Sequence, residues 1–214
     1  MTNLYNGRLI AIEGLDGSGK TSVAHALEKK LTNNNYSVVL TKEPGGTELG
    51  AMLREILHTK KQNVCDTAEF LLFAADRAQH FQQLVIPALK AGKIVIADRL
   101  ADSSLAYQGY GRGLDRSMIQ SINQWAMQQV TPDVTLYLRI DPTTALNRVR
   151  RRQEALTSFE QEARDFWMRV VDGYEKIFVG RKNLVVVDAL LPLQELAEQA
   201  AQQVLTMLAV ARHD

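Results

Sequence analysis

Cysteine is nearly absent: Cys65 stands alone among 214 residues, so no intramolecular disulfide can form and nothing points to an oxidising compartment. No run of 18 apolar residues occurs, which excludes an ordinary membrane-spanning helix. The opening Met1-Thr2-Asn3-Leu4-Tyr5-Asn6-Gly7 has neither a basic stretch nor an apolar core, so no secretory leader is expected and a cytoplasmic location is. Charge of either sign is not in excess: 25 basic against 24 acidic residues leave +1, which gives no general attraction to nucleic acid or anionic membrane. Fixed-period repeats, low-complexity tracts and linkers are missing too. The chain, 1–214, reads as one domain, long enough to bury a full core.

What is present begins with Gly14-Leu15-Asp16-Gly17-Ser18-Gly19-Lys20-Thr21. It follows the apolar run Leu9-Ile10-Ala11-Ile12 and precedes a helical pattern in which Val23, Leu27 and Leu31 recur. Strand, glycine loop and helix are the context that makes G-x-x-x-x-G-K-[ST] a phosphate-binding loop, or P-loop. Glycines let successive N–H groups converge on one cavity, and the helix start adds unpaired donors and the positive end of its dipole. Lys20 supplies a charge for the β/γ-phosphates of a nucleotide, and the Thr21 hydroxyl is placed to ligate Mg²⁺.

Further strands are predicted at Tyr36 to Leu40, Lys93 to Asp98, Val134 to Ile140 and Leu184 to Val187. Helices are predicted from Glu48 to His58 with Thr47 as cap, and from Asp66 through Leu84, with Pro87 disturbing the end. Others run from Asp102 to Gln108 and Asp115 to Val130, separated by the glycines of 108–113. Asp141-Pro142 starts another, and Pro192 to Ala211 is the last. Alternating strands and helices predict an α/β, three-layer P-loop NTP hydrolase-type fold: a five-stranded parallel sheet with helices on both faces. Ligands then bind at the strand carboxyl ends, where Glu13, Glu43, Asp98 and Asp141 fall.

No guanine-reading N-K-x-D tetrapeptide is present, which argues against a GTPase switch. The third strand ends in Asp98-Arg99, a carboxylate able to hold a Mg²⁺-bound water and a guanidinium able to clamp phosphates. From there, Asp98-Arg99-Leu100-Ala101-Asp102-Ser103-Ser104-Leu105-Ala106-Tyr107-Gln108 resembles the D-R-[aromatic]-x-x-S-[ST]-x-A-Y-Q signature of thymidylate kinases. Glu43-Pro44-Gly45-Gly46-Thr47 and Leu71-Leu72-Phe73-Ala74-Ala75-Asp76-Arg77-Ala78-Gln79 resemble two more blocks of that family, in its order and spacing.

The resemblance implies transfer of phosphate from ATP to dTMP with Mg²⁺, giving dTDP, by a homodimer. By resemblance, Phe73 stacks on thymine and Arg77 bonds the base edge. They lie at i and i+4, so one helix face can present both, although Phe73 taken alone reads as core. Arg54 matches the family arginine on the acceptor's 5′-phosphate, and Asp16 the acid on its 3′-hydroxyl. Ser103, Ser104, Tyr107 and Gln108 match residues that line the sugar and base. Glu43, Pro44 and Arg99 complete the expected dTMP site; Thr21 and Asp98 (through water) the metal site; Lys20, Asp98 and Arg99 the reacting centre.

The chain departs from the family where a lid segment, about 148–160, should supply an arginine over ATP. Position 17 is Gly, so the P-loop carries no arginine, and Thr157-Ser158-Phe159-Glu160 has Ser158 at the lid arginine's place. The expectation is that Arg150, Arg151 or Arg152 does that work. Leu100 and Lys42 are smaller departures, from an aromatic and an arginine. Two other readings stay open on residues alone: a deoxynucleoside kinase acting on thymidine, and a weakly active nucleotide-binding regulatory protein.

Overall fold

The computed structural model describes residues 5–58, 64–151, 157, 159–160 and 162–210. Strand β1 (Arg8–Gly14) is apolar without alternation because both of its faces are covered. Ile10 and Ile12 join a core with Leu27, Trp167 and Val204, whereas Leu9 and Ala11 join another with Phe81, Val85 and Leu89.

Helix α1 (Lys20–Asn33) leaves the P-loop from Gly19, whose φ of 95° is a left-handed value that favours glycine. Next come β2 (Val38–Lys42) and α2 (Glu48–His58), whose expected cap is seen: Thr47 Oγ1 accepts from Gly50 N at 3.0 Å. Helix α3 (Asp66–His80) passes through a π-helical turn, Phe81–Val85, into α4 (Ile86–Lys90). Pro87 disturbs the helix near its end, as the sequence suggests: the wider turn just before it accommodates a residue without an N–H, and the helix runs on to Lys90.

After β3 (Ile94–Asp98), the short α5 (Ala101–Ser104) widens into a second π turn, Leu105–Gly111. The sequence placed 108–113 as a break between helices. Gly111 is instead a close-packing position, where a Cβ would come 2.6 Å from Phe166 Cε2. Helix α6 (Arg116–Ala126), capped by Asp115, stops short of the expected Val130 because Gln128 and Gln129 adopt positive φ. Strand β4 (Val134–Arg139) leads to α7 (Pro142–Arg150), with Asp141 accepting from Thr144 N at 2.9 Å as expected of a cap.

Helix α8 (Arg164–Ile177) was not anticipated. It buries Phe166, Trp167, Val170 and Tyr174 against the second π turn, a helical spacing that the sequence does carry. Strand β5 (Leu184–Asp188) and α9 (Leu193–Val210) complete the fold; Ala211 lies outside the described residues.

All strand pairings are parallel, in the order β2-β3-β1-β4-β5. Lys42, Asp98 and Ile12 stand in one row across three neighbouring strands, so the segments that follow them emerge side by side. No described helix is long and apolar enough to cross a membrane.

Candidate active site

The carboxyl ends of β1, β2 and β3 open into a cavity of about 570 Å³. One wall is the P-loop and the start of α1: Asp16, Gly17, Gly19, Lys20, Thr21 and Ser22. Gly17 has φ 85°, and a Cβ there would lie 2.3 Å from Ala145 O. The backbone of α7 thus rests on the loop, which is why no larger side chain stands at position 17. Gly14, Leu15 and Ser18 shape the loop from behind the cavity.

Lys20 Nζ donates to Leu15 O at 2.7 Å. Burial, and the like charge of Arg99, push its ammonium down to about 8, with Asp16 and Asp98 opposing. Thr21 Oγ1 donates to Asp98 Oδ2 at 2.7 Å, so the two expected metal-site residues are adjacent.

Arg99 has φ 75°, an uncommon value for a residue with a Cβ, and its guanidinium turns back over the P-loop. Nη1 donates to Gly14 O and Ser103 Oγ, and Nη2 to Asp16 Oδ1 and Tyr107 OH. Burial pushes the Asp16 carboxyl up, but Arg99 and then Lys20 outweigh it and hold it at about 2. Behind this pair sits Glu13, fully buried, at one of the strand carboxyl ends that the sequence marks but to which it assigns no role. It accepts from Leu100 N at 2.9 Å, Ser103 Oγ at 2.5 Å and Tyr174 OH at 3.1 Å. Burial, reinforced by Asp102, raises its carboxyl to about 7.

The opposite wall comes from the loop after β2, from α2 and α3, and from the end of α5 with the second π turn: Glu43, Pro44, Arg54, Phe73, Arg77, Ser104, Tyr107 and Gln108 all line the cavity. Phe73 is half-buried, neither sealed in the core nor free of it, and its ring lies 5.9 Å from that of Phe159. Arg77 is almost completely buried: Nε donates to Glu43 Oε2 at 2.8 Å, and Nη1 to Ser104 Oγ at 3.0 Å and Asn123 Oδ1 at 2.6 Å. Nη2 has no hydrogen bond among the described residues. The other Glu43 oxygen pairs with His80 Nδ1 at 2.8 Å, and Thr41 Oγ1 holds His80 Nε2 at 2.8 Å. Burial raises the Glu43 carboxyl, but Arg77 and His80 bring it below the ordinary range. Glu43 therefore acts as the anchor of Arg77. His80 and Asn123, which complete that anchor, were missed in the sequence because their partners are remote in the chain.

Arg54 Nη1 donates to Pro44 O at 2.9 Å at the cavity edge. One turn on, His58 also lines the cavity, again unanticipated. Burial, then the charge of Arg54, lowers its imidazole to about 4. From the expected lid segment, Thr157, Phe159 and Glu160 line the cavity, with Thr157 N donating to Glu160 Oε2 at 2.8 Å. Arg150 and Arg151, at the end of α7, are exposed and are not lining residues. Arg152 and Ser158 lie outside the described residues. Lys42 and Leu100 both line the cavity, Leu100 from the packed core.

Fold and site together define a nucleotide-binding α/β protein of the P-loop class. The thymidylate kinase family model matches residues 12–200. A thymidylate kinase from Clostridium novyi is 39% identical over 199 residues, covering 92% of this chain and 97% of that protein. Another from Nostoc punctiforme is 43% identical over 202 residues, 93% of each chain. The crystal structure of thymidylate kinase from Ehrlichia chaffeensis superposes with a TM-score of 0.75 at 32% identity, covering 92% of this chain and 98% of that one. The chain belongs to the thymidylate kinase family.

Proposed function

We propose that this protein transfers the γ-phosphoryl group of ATP to dTMP, giving ADP and dTDP. The observation that carries this reading is that one cavity joins the P-loop wall to a wall bearing Phe73, Arg77 and Arg54. A phosphate oxygen of dTMP forms a bond to the γ-phosphorus as the bond to the β–γ bridging oxygen breaks, and ADP leaves. The attacking phosphate is already ionised near neutral pH, so no general base is required. Catalysis then consists of alignment and charge neutralisation.

In this reading Gly14 to Thr21 cradle the donor phosphates, with Lys20 as their fixed cation. Arg99 reaches from the P-loop to the phosphates, exchanging some of its present hydrogen bonds for them. Arg54 holds the acceptor phosphate, Phe73 stacks on the base, Arg77 and Gln108 meet its edge, and Ser103, Ser104 and Tyr107 line the sugar side. The Thr21 hydroxyl and Asp98 carboxylate, two hard oxygens beside the loop, fit Mg²⁺, which binds through few protein oxygens plus phosphates and waters. When bound, it would neutralise charge on the β- and γ-oxygens. We keep Arg150, Arg151 and Arg152 as candidates for the missing lid arginine. Their Ala variants test this: a loss of kcat confined to a few-fold in all three removes the idea.

Transfer to the hydroxyl of thymidine is not favoured, because it would leave Arg54 without a phosphate. Nor is a regulatory nucleotide binder, given how complete the acceptor wall is. We further propose a cytoplasmic homodimer, supported by exposed Leu49, Met52, Leu71, Met118 and Trp125 on α2, α3 and α6, which pack side by side. Sedimentation of the purified protein tests the dimer. The reaction is tested with ATP, Mg²⁺ and each of dTMP, dUMP, CMP, AMP and GMP: dTMP should turn over fastest, and faster turnover of AMP or GMP overturns the reading.

A further inference from the structure

Helix α3 presents Glu69, Phe73 and Arg77 at i, i+4 and i+8, a single stripe along one face. Phe73 and Arg77 face the cavity, whereas Glu69 is buried behind it. Gln108 Nε2 donates to Glu69 Oε1 at 2.9 Å, and both residues are buried. Arg112, at the end of the second π turn, backs the carboxylate: Nη2 donates to Glu69 Oε2 at 3.0 Å and Nε to Oε1 at 3.3 Å. Arg112 is itself fixed by Glu162 at 2.7 Å and by the Phe166 ring, 4.7 Å below its guanidinium.

A side-chain amide has a donor end and an acceptor end of nearly equal shape, so its polarity follows from its partners. A carboxylate only accepts. Facing one, Gln108 must turn its NH₂ toward Glu69, which leaves Oε1 without a hydrogen bond among the described residues on a side chain that lines the cavity. One turn earlier on the same stretch, Ser104 Oγ accepts from Arg77 Nη1. The cavity therefore offers a guanidinium donor and an amide acceptor close together. A thymine or uracil edge supplies the complement, a carbonyl O4 beside an N3–H. A cytosine edge supplies the reverse, an amino group beside a bare N3.

We propose that Glu69 is a positioning residue that sets which pyrimidine edge the cavity accepts, by fixing the polarity of the Gln108 amide. This deepens the proposed function and rests on its assignment of the acceptor site. Glu69→Gln removes that constraint: an amide at this position can face Gln108 with either its oxygen or its NH₂, so Gln108 is free to turn over and present a donor to the cavity.

The experiment compares dTMP with 5-methyl-dCMP, which carries the same methyl group and differs only along that edge. In the wild-type enzyme kcat/KM favours dTMP. Glu69→Gln should shrink that preference by about tenfold or more, because a site that pairs with polar groups discriminates through the groups it leaves unpaired. KM for dTMP should rise while kcat at saturation stays within a few-fold, and preference for dTMP over dUMP, whose edges are identical, should not move. An unchanged ratio of dTMP to 5-methyl-dCMP overturns the inference. If Glu69→Gln does not fold, Glu69→Met, of similar length and without a carboxylate to hold the Gln108 NH₂, is judged on the same ratio. A wild-type protein inactive on dTMP but active on another monophosphate would instead overturn the function itself, a result distinct from a failure of Glu69 alone.

Discussion

Arg99 Nη2 donates to Asp16 Oδ1 at 2.6 Å, which ties the end of β3 to the glycine loop that ends β1. The contact is charged on both sides and partly buried, so it fixes where the guanidinium starts before it would reach a phosphate in the proposed reaction. Arg99→Lys keeps the charge but loses the fork that meets Gly14, Ser103, Asp16 and Tyr107 together. We expect kcat to fall by about 10²-fold or more with ATP affinity changed only a few-fold. Steady-state kinetics with separate equilibrium binding of ATP checks this, and a near-normal kcat contradicts it.

Phe73 lines the cavity, and in the proposed function its ring is the surface that takes the base. Phe73→Ala should raise KM for dTMP by roughly 5- to 100-fold, since stacking a base on an aromatic ring is worth about 1–3 kcal/mol. KM for ATP should not follow. A parallel rise in both would mean that the ring holds the fold together and does not hold a base.

The Arg77–Glu43 pair is sealed from solvent, with both side chains 2% exposed. Arg77→Met would leave the Glu43 carboxylate buried with the His80 ring as its remaining side-chain hydrogen-bond partner. Breaking a buried pair from one side costs about 3–5 kcal/mol, so urea unfolding should shift by that order. A variant as stable as wild type would show that the hydrogen bond from His80 alone can hold the buried carboxylate.

His58 provides a pH signature. Its imidazole is held at about 4 in the fold against an ordinary 6.5, first by burial and then by Arg54. The unfolded chain therefore binds more protons than the folded one between those values. This stabilising contribution is complete above about pH 6.5 and is lost as pH falls toward 4. Between pH 7 and 4.5, wild type should lose more stability than His58→Gln; equal losses in paired urea titrations would refute the shift.

What was legible in the sequence is chemistry held in short stretches. The glycine loop, Asp98-Arg99 and the Phe73/Arg77 spacing are each local, and all arrive at the cavity. What was hidden depends on partners far along the chain. Glu13 meets Tyr174 across 161 positions, and no local pattern announces that contact. The two π turns are also set by tertiary packing, as Gly111 under Phe166 illustrates. Helix α8 is different: Phe166, Val170 and Tyr174 repeat at four-residue intervals, a helical signal that the sequence carries locally.

The row that aligns Lys42, Asp98 and Ile12 across β2, β3 and β1 works as a ruler. Neighbouring strands lie about 4.8 Å apart, so the segments after β2 and β1 start roughly 10 Å from each other, on the scale of a short chain of phosphates. Slipping β3 by a single residue would carry Arg99 about 3.3 Å along and turn it to the other face of the sheet. In the proposed reaction, donor–acceptor separation would thus be graduated by backbone pairing deep in the sheet, well away from the cavity-lining side chains.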